Sequence, residues 1–99
     1  MKDSLKKLLE ELVFTSVDNF KKDKKLVPKR IVVCDTFYKL RDEEFLNYTH
    51  NLLLNNSFVR DNKIKVEVIR YYKHSKDKVI GDYSLDVGSW MNPNHSEFS

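Results

Sequence analysis

Two alternating runs of apolar residues, separated by a short charged segment, constrain the fold of this chain more than any other feature of its sequence. Their members are Ile64, Val66 and Val68 in the first run and Val79, Tyr83, Leu85 and Val87 in the second. Alternation with a period of two is typical of β-strands. We therefore predict strands over 64–72 and 79–87 that pair antiparallel as a β-hairpin, with residues 73–77 in its turn.

The first half of the chain predicts two helices and another strand. Apolar residues recur at steps of three and four between Leu5 and Phe20, which predicts a helix over 4–21 with Asp3 or Ser4 as its N-cap. Residues 30–38 begin with a β-branched run that is apolar on both faces, as in a central strand covered on both sides. A second helix is predicted from Asp42 to about residue 55, and residues 58–60 are interpreted as a short strand.

This order of elements predicts an α+β fold, a two-layer sandwich. It would contain a small mixed or antiparallel sheet of three to four strands and two amphipathic helices. A chain of 99 residues with 40% hydrophobic content is expected to form one core, which we assign to residues 1–88. Residues 89–99 have no periodicity and are interpreted as a tail, partly flexible or docked at an interface through Trp90, Met91 and Phe98.

The composition restricts the cellular setting. Cys34 is the single cysteine, so no intramolecular disulfide can form. Nowhere do the ~18 consecutive apolar residues of a membrane span occur. We therefore expect a soluble cytoplasmic protein with no membrane partner. The short chain, rich in Lys and Asn, is compatible with a viral or phage product, for which the setting would be the host cytoplasm.

Two basic segments are candidate binding sites for nucleic acid or for a protein partner. Lysine and arginine neutralise phosphates, and tyrosine rings stack on bases. The candidates are Lys21, Lys22, Lys24, Lys25, Lys29 and Arg30 in a connecting loop, and Arg70, Tyr71, Lys73, His74, Lys76 and Lys78 at the predicted hairpin tip. The alternative interpretation is a solvated loop and turn, with Tyr72 in the core in phase with Val66 and Val68. The net charge of +3 is too small to indicate a general polyanion binder.

Residue types that carry catalysis or bind metals are scattered. His50, His74 and His95 are isolated in sequence, and Cys34 lies in an apolar run, where a buried small hydrophobe is expected. Asp82 and Asp86 are expected to face solvent or to pair with Lys65 across the hairpin. We therefore predict no catalytic residue, no metal, no cofactor and no small-molecule substrate.

These observations favour a non-enzymatic protein-interaction or accessory protein, of inhibitor or adaptor type, with a protein partner or a second copy of itself. The alternative is a nucleic-acid-binding protein that uses the hairpin tip and the lysine-rich loop.

Overall fold

The computed structural model of the protein describes residues 1–36, 43–72 and 79–90. In these ranges the chain forms a small α+β structure with a three-stranded parallel sheet. Its elements are α1 (Asp3–Lys22), a short 3-10 helix (Lys24–Leu26), β1 (Arg30–Cys34), α2 (Glu44–Leu54), α3 (Ser57–Asp61), β2 (Lys65–Val68), β3 (Asp82–Asp86) and α4 (Val87–Trp90). Within the described ranges, every helix is too short or too polar to cross a membrane.

Helix α1 forms as its periodicity predicts. Its buried stripe consists of Leu5, Leu9, Leu12, Val13, Ser16, Val17 and Phe20. Ser16 is tolerated there because its hydroxyl donates to the Leu12 carbonyl at 2.9 Å. The predicted N-cap is wrong: the N-cap position falls on Lys2, and no side chain caps the first turn. Lys21 and Lys22 occupy the last turn, where cations suit the helix dipole.

Strand β1 is the central strand, as its apolar run predicts. It pairs with β2 and β3, one on each side, and the side chains of 31–34 are almost completely buried. Ile31 and Val33 join a core to which α1 and α2 also contribute. Val32 and Cys34 belong to a second cluster with Tyr72. The strand ends at Cys34 rather than at residue 38, and residues 37 and 38 lie outside the described ranges.

The predicted antiparallel hairpin is wrong. Both β2 and β3 run parallel to β1, and β1 lies between them, in the order β2-β1-β3. Arg30 is the register partner of Lys65 in β2 and of Asp82 in β3. Alternation defines a strand and its faces but not its neighbours, so the same pattern is compatible with a hairpin and with two strands flanking a third.

The chain between β2 and β3 makes a crossover instead of a tight turn. After β2 it turns at Arg70 and Tyr71, and the Tyr72 amide donates to the Ile69 carbonyl at 3.1 Å. Tyr72 is buried, as predicted, but against Val32 and Cys34 rather than in phase with β2. Ile69 and Tyr72, which follow β2, therefore cover the face of β1 that carries these two residues.

The predicted strand at 58–60 is helix α3. Asn56 precedes it and its side-chain oxygen accepts from the Val59 amide at 3.1 Å, which is the geometry of an N-cap. A single β-branched residue, Val59, does not outweigh this cap, and its side chain is buried in the main core. A turn follows at residues 62 and 63, with Lys63 at a φ of 53°.

Candidate interaction surface

The described residues of the two predicted basic segments lie at opposite ends of the sheet. The loop that carries Lys24, Lys25 and Lys29 leads into the start of β1. Arg70 lies beyond the end of β2, where its carbonyl accepts from the Asp35 amide at 2.9 Å, just past the end of β1. In a parallel sheet the strand starts share one edge and the strand ends the other. Lys73, His74, Lys76 and Lys78 lie outside the described residues.

Arg30 is engaged inside the fold. Its Nε and Nη2 donate to the Asp82 carboxylate at 2.9 and 2.5 Å, and its Nη1 donates to Glu67 at 2.9 Å. The Arg30 side chain is 19% exposed and that of Asp82 only 4%. These bonds connect all three strands, since Arg30, Glu67 and Asp82 lie on β1, β2 and β3. Asp82 therefore neither faces solvent nor pairs with Lys65, which corrects the expectation based on the hairpin.

The Asp82 carboxylate is held ionised by its neighbours. Hydrogen bonds from Arg30, helped by those from the Val79 amide at 3.2 Å and the Tyr72 hydroxyl at 3.1 Å, outweigh burial and lower the pKa of Asp82 to about 2. The hydrogen bonds that Arg30 makes to Asp82 and, to a smaller extent, to Glu67 outweigh burial and raise the pKa of Arg30. The Asp82 carboxylate therefore binds one described residue that follows β2 and one that precedes β3.

Arg70 and Tyr71 form a separate contact. The Arg70 guanidinium lies 5.5 Å from the centre of the Tyr71 ring, and its Nη1 is 3.4 Å from a Glu43 carboxylate oxygen. The Tyr71 side chain remains largely exposed. One face of the ring is therefore occupied by a cation from the same chain.

The lysines of the loop are exposed to solvent. Lys22 pairs with Asp18 at 3.1 Å across one turn of α1, and the Lys21 ammonium lies 5.9 Å from the centre of the Phe58 ring on α3. Lys24, Lys25 and Lys29 are exposed as well. The Asp23 carboxylate accepts from the Lys25 amide at 2.9 Å and so caps the 3-10 helix.

Three loops converge where the strands begin, and Lys29 is the point at which they meet. Its amide donates to the Gly81 carbonyl at 2.8 Å, and its carbonyl accepts from the Lys65 amide at 3.1 Å. Its methylene groups pack on Gly81, where an added Cβ would lie 3.2 Å from them. We call this surface the amino edge and define it as Lys24, Lys25, Leu26, Lys29, Lys63, Lys65, Val79 and Ile80.

The amino edge exposes large aliphatic side chains beside its five lysines. Ile80 is 95% exposed, Val79 57% and Leu26 55%. Sequence reasoning missed Leu26, Lys63, Lys65 and Ile80, and it assigned Val79 to a strand. The sequence feature that could have indicated a loop at Val79 and Ile80 was Gly81. Its φ of 95° requires glycine, and it ends the extended run before β3 begins.

At the opposite edge, polar groups cluster beyond β1 and β3. Asp86 accepts from the Thr36 hydroxyl and, at 3.1 Å, from the Ser89 amide. Asp35 is fully buried and lies against Gly88. Burial raises the pKa of the Cys34 thiol to about 12, and the charges of Asp86 and Asp35 add to the effect. In the described ranges, no group of three or more His, Cys, Asp or Glu side chains converges as a metal site.

The other predicted site residues are placed only in part. Cys34 is buried, as predicted for a small hydrophobe. His50 packs against the edge of β2, its Nε2 3.3 Å from the Val66 carbonyl oxygen. The backbone of Trp90 ends α4, whereas Met91 and Phe98 lie outside the described ranges.

A scan against protein-family models finds no match to this sequence. Searches of curated proteins and of solved structures find no match either.

Proposed function

We propose that this protein is a protein-interaction module that binds its partner through the amino edge. The observation that carries the proposal is the exposure of Leu26, Val79 and Ile80 on two loops that are joined by the hydrogen bond between Lys29 and Gly81, with Ile80 95% exposed. Single exposed apolar residues are ordinary, but a group of them rimmed by polar residues is typical of an interaction site.

The loops of the amino edge are joined to the sheet by a backbone hydrogen bond and lie next to an ion pair between two strands. Lys29 and Gly81 are joined by a backbone hydrogen bond, and Arg30 and Asp82 follow them directly in the two strands. The loops that present Leu26 and Ile80 are therefore anchored at one end to paired strands. An anchored surface loses little conformational freedom on binding, which favours affinity.

The proposal is tested with a substitution at Ile80 and a matched control. Ile80→Ser removes the most exposed aliphatic side chain of the amino edge, whereas Phe14→Ser removes a side chain that is 70% exposed on α1, outside the edge. Full burial of an isoleucine side chain contributes about 1.5–3 kcal/mol, so Ile80→Ser is expected to weaken binding by roughly 10- to 100-fold. Phe14→Ser should leave affinity unchanged.

The assay starts from a displayed library of random 12-residue peptides selected on the immobilised wild-type protein. Affinities of the selected peptides are then measured by biolayer interferometry for the wild type and both variants, after circular dichroism has shown that all three are folded. Peptides that bind wild type and Phe14→Ser but not Ile80→Ser support the proposal. If every selected peptide binds Ile80→Ser as well as wild type, the amino edge is not the interaction site.

A second candidate function is nucleic-acid binding, which the five exposed lysines of the amino edge favour. Fluorescence anisotropy with labelled single- and double-stranded DNA and RNA tests it at low and physiological salt. A phosphate-contacting surface would show an affinity that falls steeply with salt, and replacing Lys24 and Lys29 with Ala would lower that slope by about one for each lost contact. Absence of binding at low salt rejects this candidate.

A further inference from the structure

We infer that the partner segment bound by the amino edge is acidic as well as apolar. This inference rests on the proposed function and specifies the class of partner for the same surface. It follows from the arrangement of charges around the exposed aliphatic group.

The lysines lie close to the aliphatic residues in the chain or on the loops that present them. Lys24 and Lys25 precede Leu26 directly, and Lys29 packs its methylene groups on Gly81, the residue after Ile80. Lys65 is joined to Lys29 by a backbone hydrogen bond. A long cationic side chain can cover apolar surface with its stem and still present its ammonium group to an anion.

Among the described residues, the positive charge of the edge is only partly balanced. Its five lysines have the exposed carboxylates of Asp23 and Asp61 next to Lys24 and two residues before Lys63 in the chain. The carboxylates of Asp82 and Glu67 form ion pairs with Arg30, so they do not neutralise the charge of the lysines. Carboxylates on a partner would complement the unbalanced charge and would also speed association.

The chemistry of the edge favours a protein segment over a nucleic acid. Stacking on bases requires aromatic rings, and bidentate phosphate contacts require arginine. The amino edge as defined carries neither: Tyr71 and Arg70 lie at the opposite end of the sheet, and Arg30 is enclosed by its own ion pairs. Aliphatic groups framed by lysines instead match Leu or Ile side chains framed by Asp or Glu.

The same features argue against two other occupants. Two copies of the chain meeting through their amino edges would bring like charges together, which is unfavourable. Membrane-surface sites are enriched in Trp and Tyr at the headgroup level. Neither residue type is a member of the amino edge.

The test compares two triple variants with the same change in net charge. Lys24→Glu/Lys25→Glu/Lys29→Glu reverses three charges of the amino edge, and Lys2→Glu/Lys6→Glu/Lys7→Glu reverses three charges in the first turns of α1, the end of that helix remote from the edge. The peptides selected on the wild-type protein serve as probes. Their binding is measured at low and high concentrations of NaCl, together with labelled single-stranded DNA and vesicles that contain phosphatidylserine.

The expected result is a set of peptides that combine Asp or Glu with Leu, Ile or Val. Their affinity should fall by roughly tenfold or more in the edge triple variant and at high salt, and it should stay close to that of wild type in the control triple variant. Circular dichroism and thermal unfolding of both variants establish that each remains folded.

Two other results would overturn the inference, and they differ in their consequences. If the selected peptides are apolar without acidic residues, and bind the edge triple variant normally but not Ile80→Ser, the proposed function stands and the acidic partner is rejected. If every selected peptide binds Ile80→Ser as well as wild type, or none is selected, both proposals fail. Lysine-dependent binding of the DNA or the vesicles would then identify the ligand of the edge.

Discussion

Replacing Asp82 with Asn is expected to destabilise the protein and to remove part of its acid sensitivity. The Asp82 carboxylate binds Arg30, Tyr72 and the Val79 amide, and its side chain is only 4% exposed. The substitution removes the charge and retains the volume of the side chain. The variant therefore isolates the charge of one group that joins β1, β3 and the crossover.

The pKa of Asp82 and the burial of its ion pair each indicate how much unfolding free energy Asp82→Asn should lose. The pKa of Asp82 is about 2 instead of 3.8, which at about 1.4 kcal/mol for each pKa unit corresponds to roughly 2 kcal/mol in favour of the ionised form. Removing one partner of a buried ion pair costs about 3–5 kcal/mol, but Arg30 keeps Glu67, which places the loss near the lower limit. We expect about 2–3 kcal/mol at pH 7, or a Tm lower by roughly 10 °C or more.

The dependence on pH follows from the direction of the pKa change. Folding lowers the pKa of Asp82, so its contribution is complete above the ordinary value of 3.8 and is lost as the pH falls through about 2. The difference in unfolding free energy between wild type and Asp82→Asn should therefore be constant from pH 7 to pH 5 and shrink between pH 4 and pH 2. Contributions from parts of the fold far from Asp82 are the same in both proteins and cancel from the difference.

Urea denaturation followed by circular dichroism at pH 7, 5, 3 and 2 measures this difference. Tyr72→Phe is the matched control, because it removes one hydrogen bond to Asp82 and leaves the ion pair intact; its cost should be about 1 kcal/mol. A difference between wild type and Asp82→Asn that is below about 0.5 kcal/mol at pH 7, or that stays unchanged down to pH 2, would refute the reasoning.

Three further outcomes are expected from other parts of the fold. Gly88→Ala should cost at least about 1–3 kcal/mol of stability in urea denaturation, because its Cβ would lie 1.9 Å from the Asp35 Oδ1 atom; unchanged stability would contradict this close contact. The Cys34 thiol is buried and its pKa is raised to about 12, so it should react with a disulfide reagent at pH 8 at least about tenfold more slowly in the native state than in denaturing urea; equal rates would mean that the thiol is accessible. His50→Ala removes the imidazole from the Val66 carbonyl and so exposes a backbone group on the edge strand β2. Self-association measured by light scattering at high concentration should then increase. Unchanged scattering would show that His50 does not prevent pairing at this edge.

Local pattern predicted the elements that depend on local chemistry. The stripe from Leu5 to Phe20 predicted α1 to within one residue at each end, because a period of 3.6 places those side chains on one buried face. The apolar run of 31–34 predicted a strand buried on both faces. Where two local signals competed, as at 56–60, an N-cap at Asn56 outweighed a β-branched residue.

The alternation of apolar residues could not predict which strands are neighbours in the sheet. The alternation in β2 and β3 defines two faces for each strand, yet it is equally satisfied by pairing with each other and by pairing with β1. The choice depends on the buried run of β1, far earlier in the chain, and on the ion pairs of Arg30 with Glu67 and Asp82. Such contacts are formed only when the whole core assembles.

The candidate site, too, was predictable from the sequence only in part. Runs of lysine predicted exposed cations between Lys21 and Arg30. The lysines are exposed, because charged side chains on a loop stay in solvent, whereas Arg30 is enclosed by its ion pairs. The combination of these lysines with Lys65, Val79 and Ile80 arises because the parallel sheet brings the starts of all three strands to one edge. Sequence alone therefore specified the first two helices, the buried central strand and the charge of the surface, whereas the tertiary fold specified which loops meet, because that depends on pairing between residues far apart in the chain.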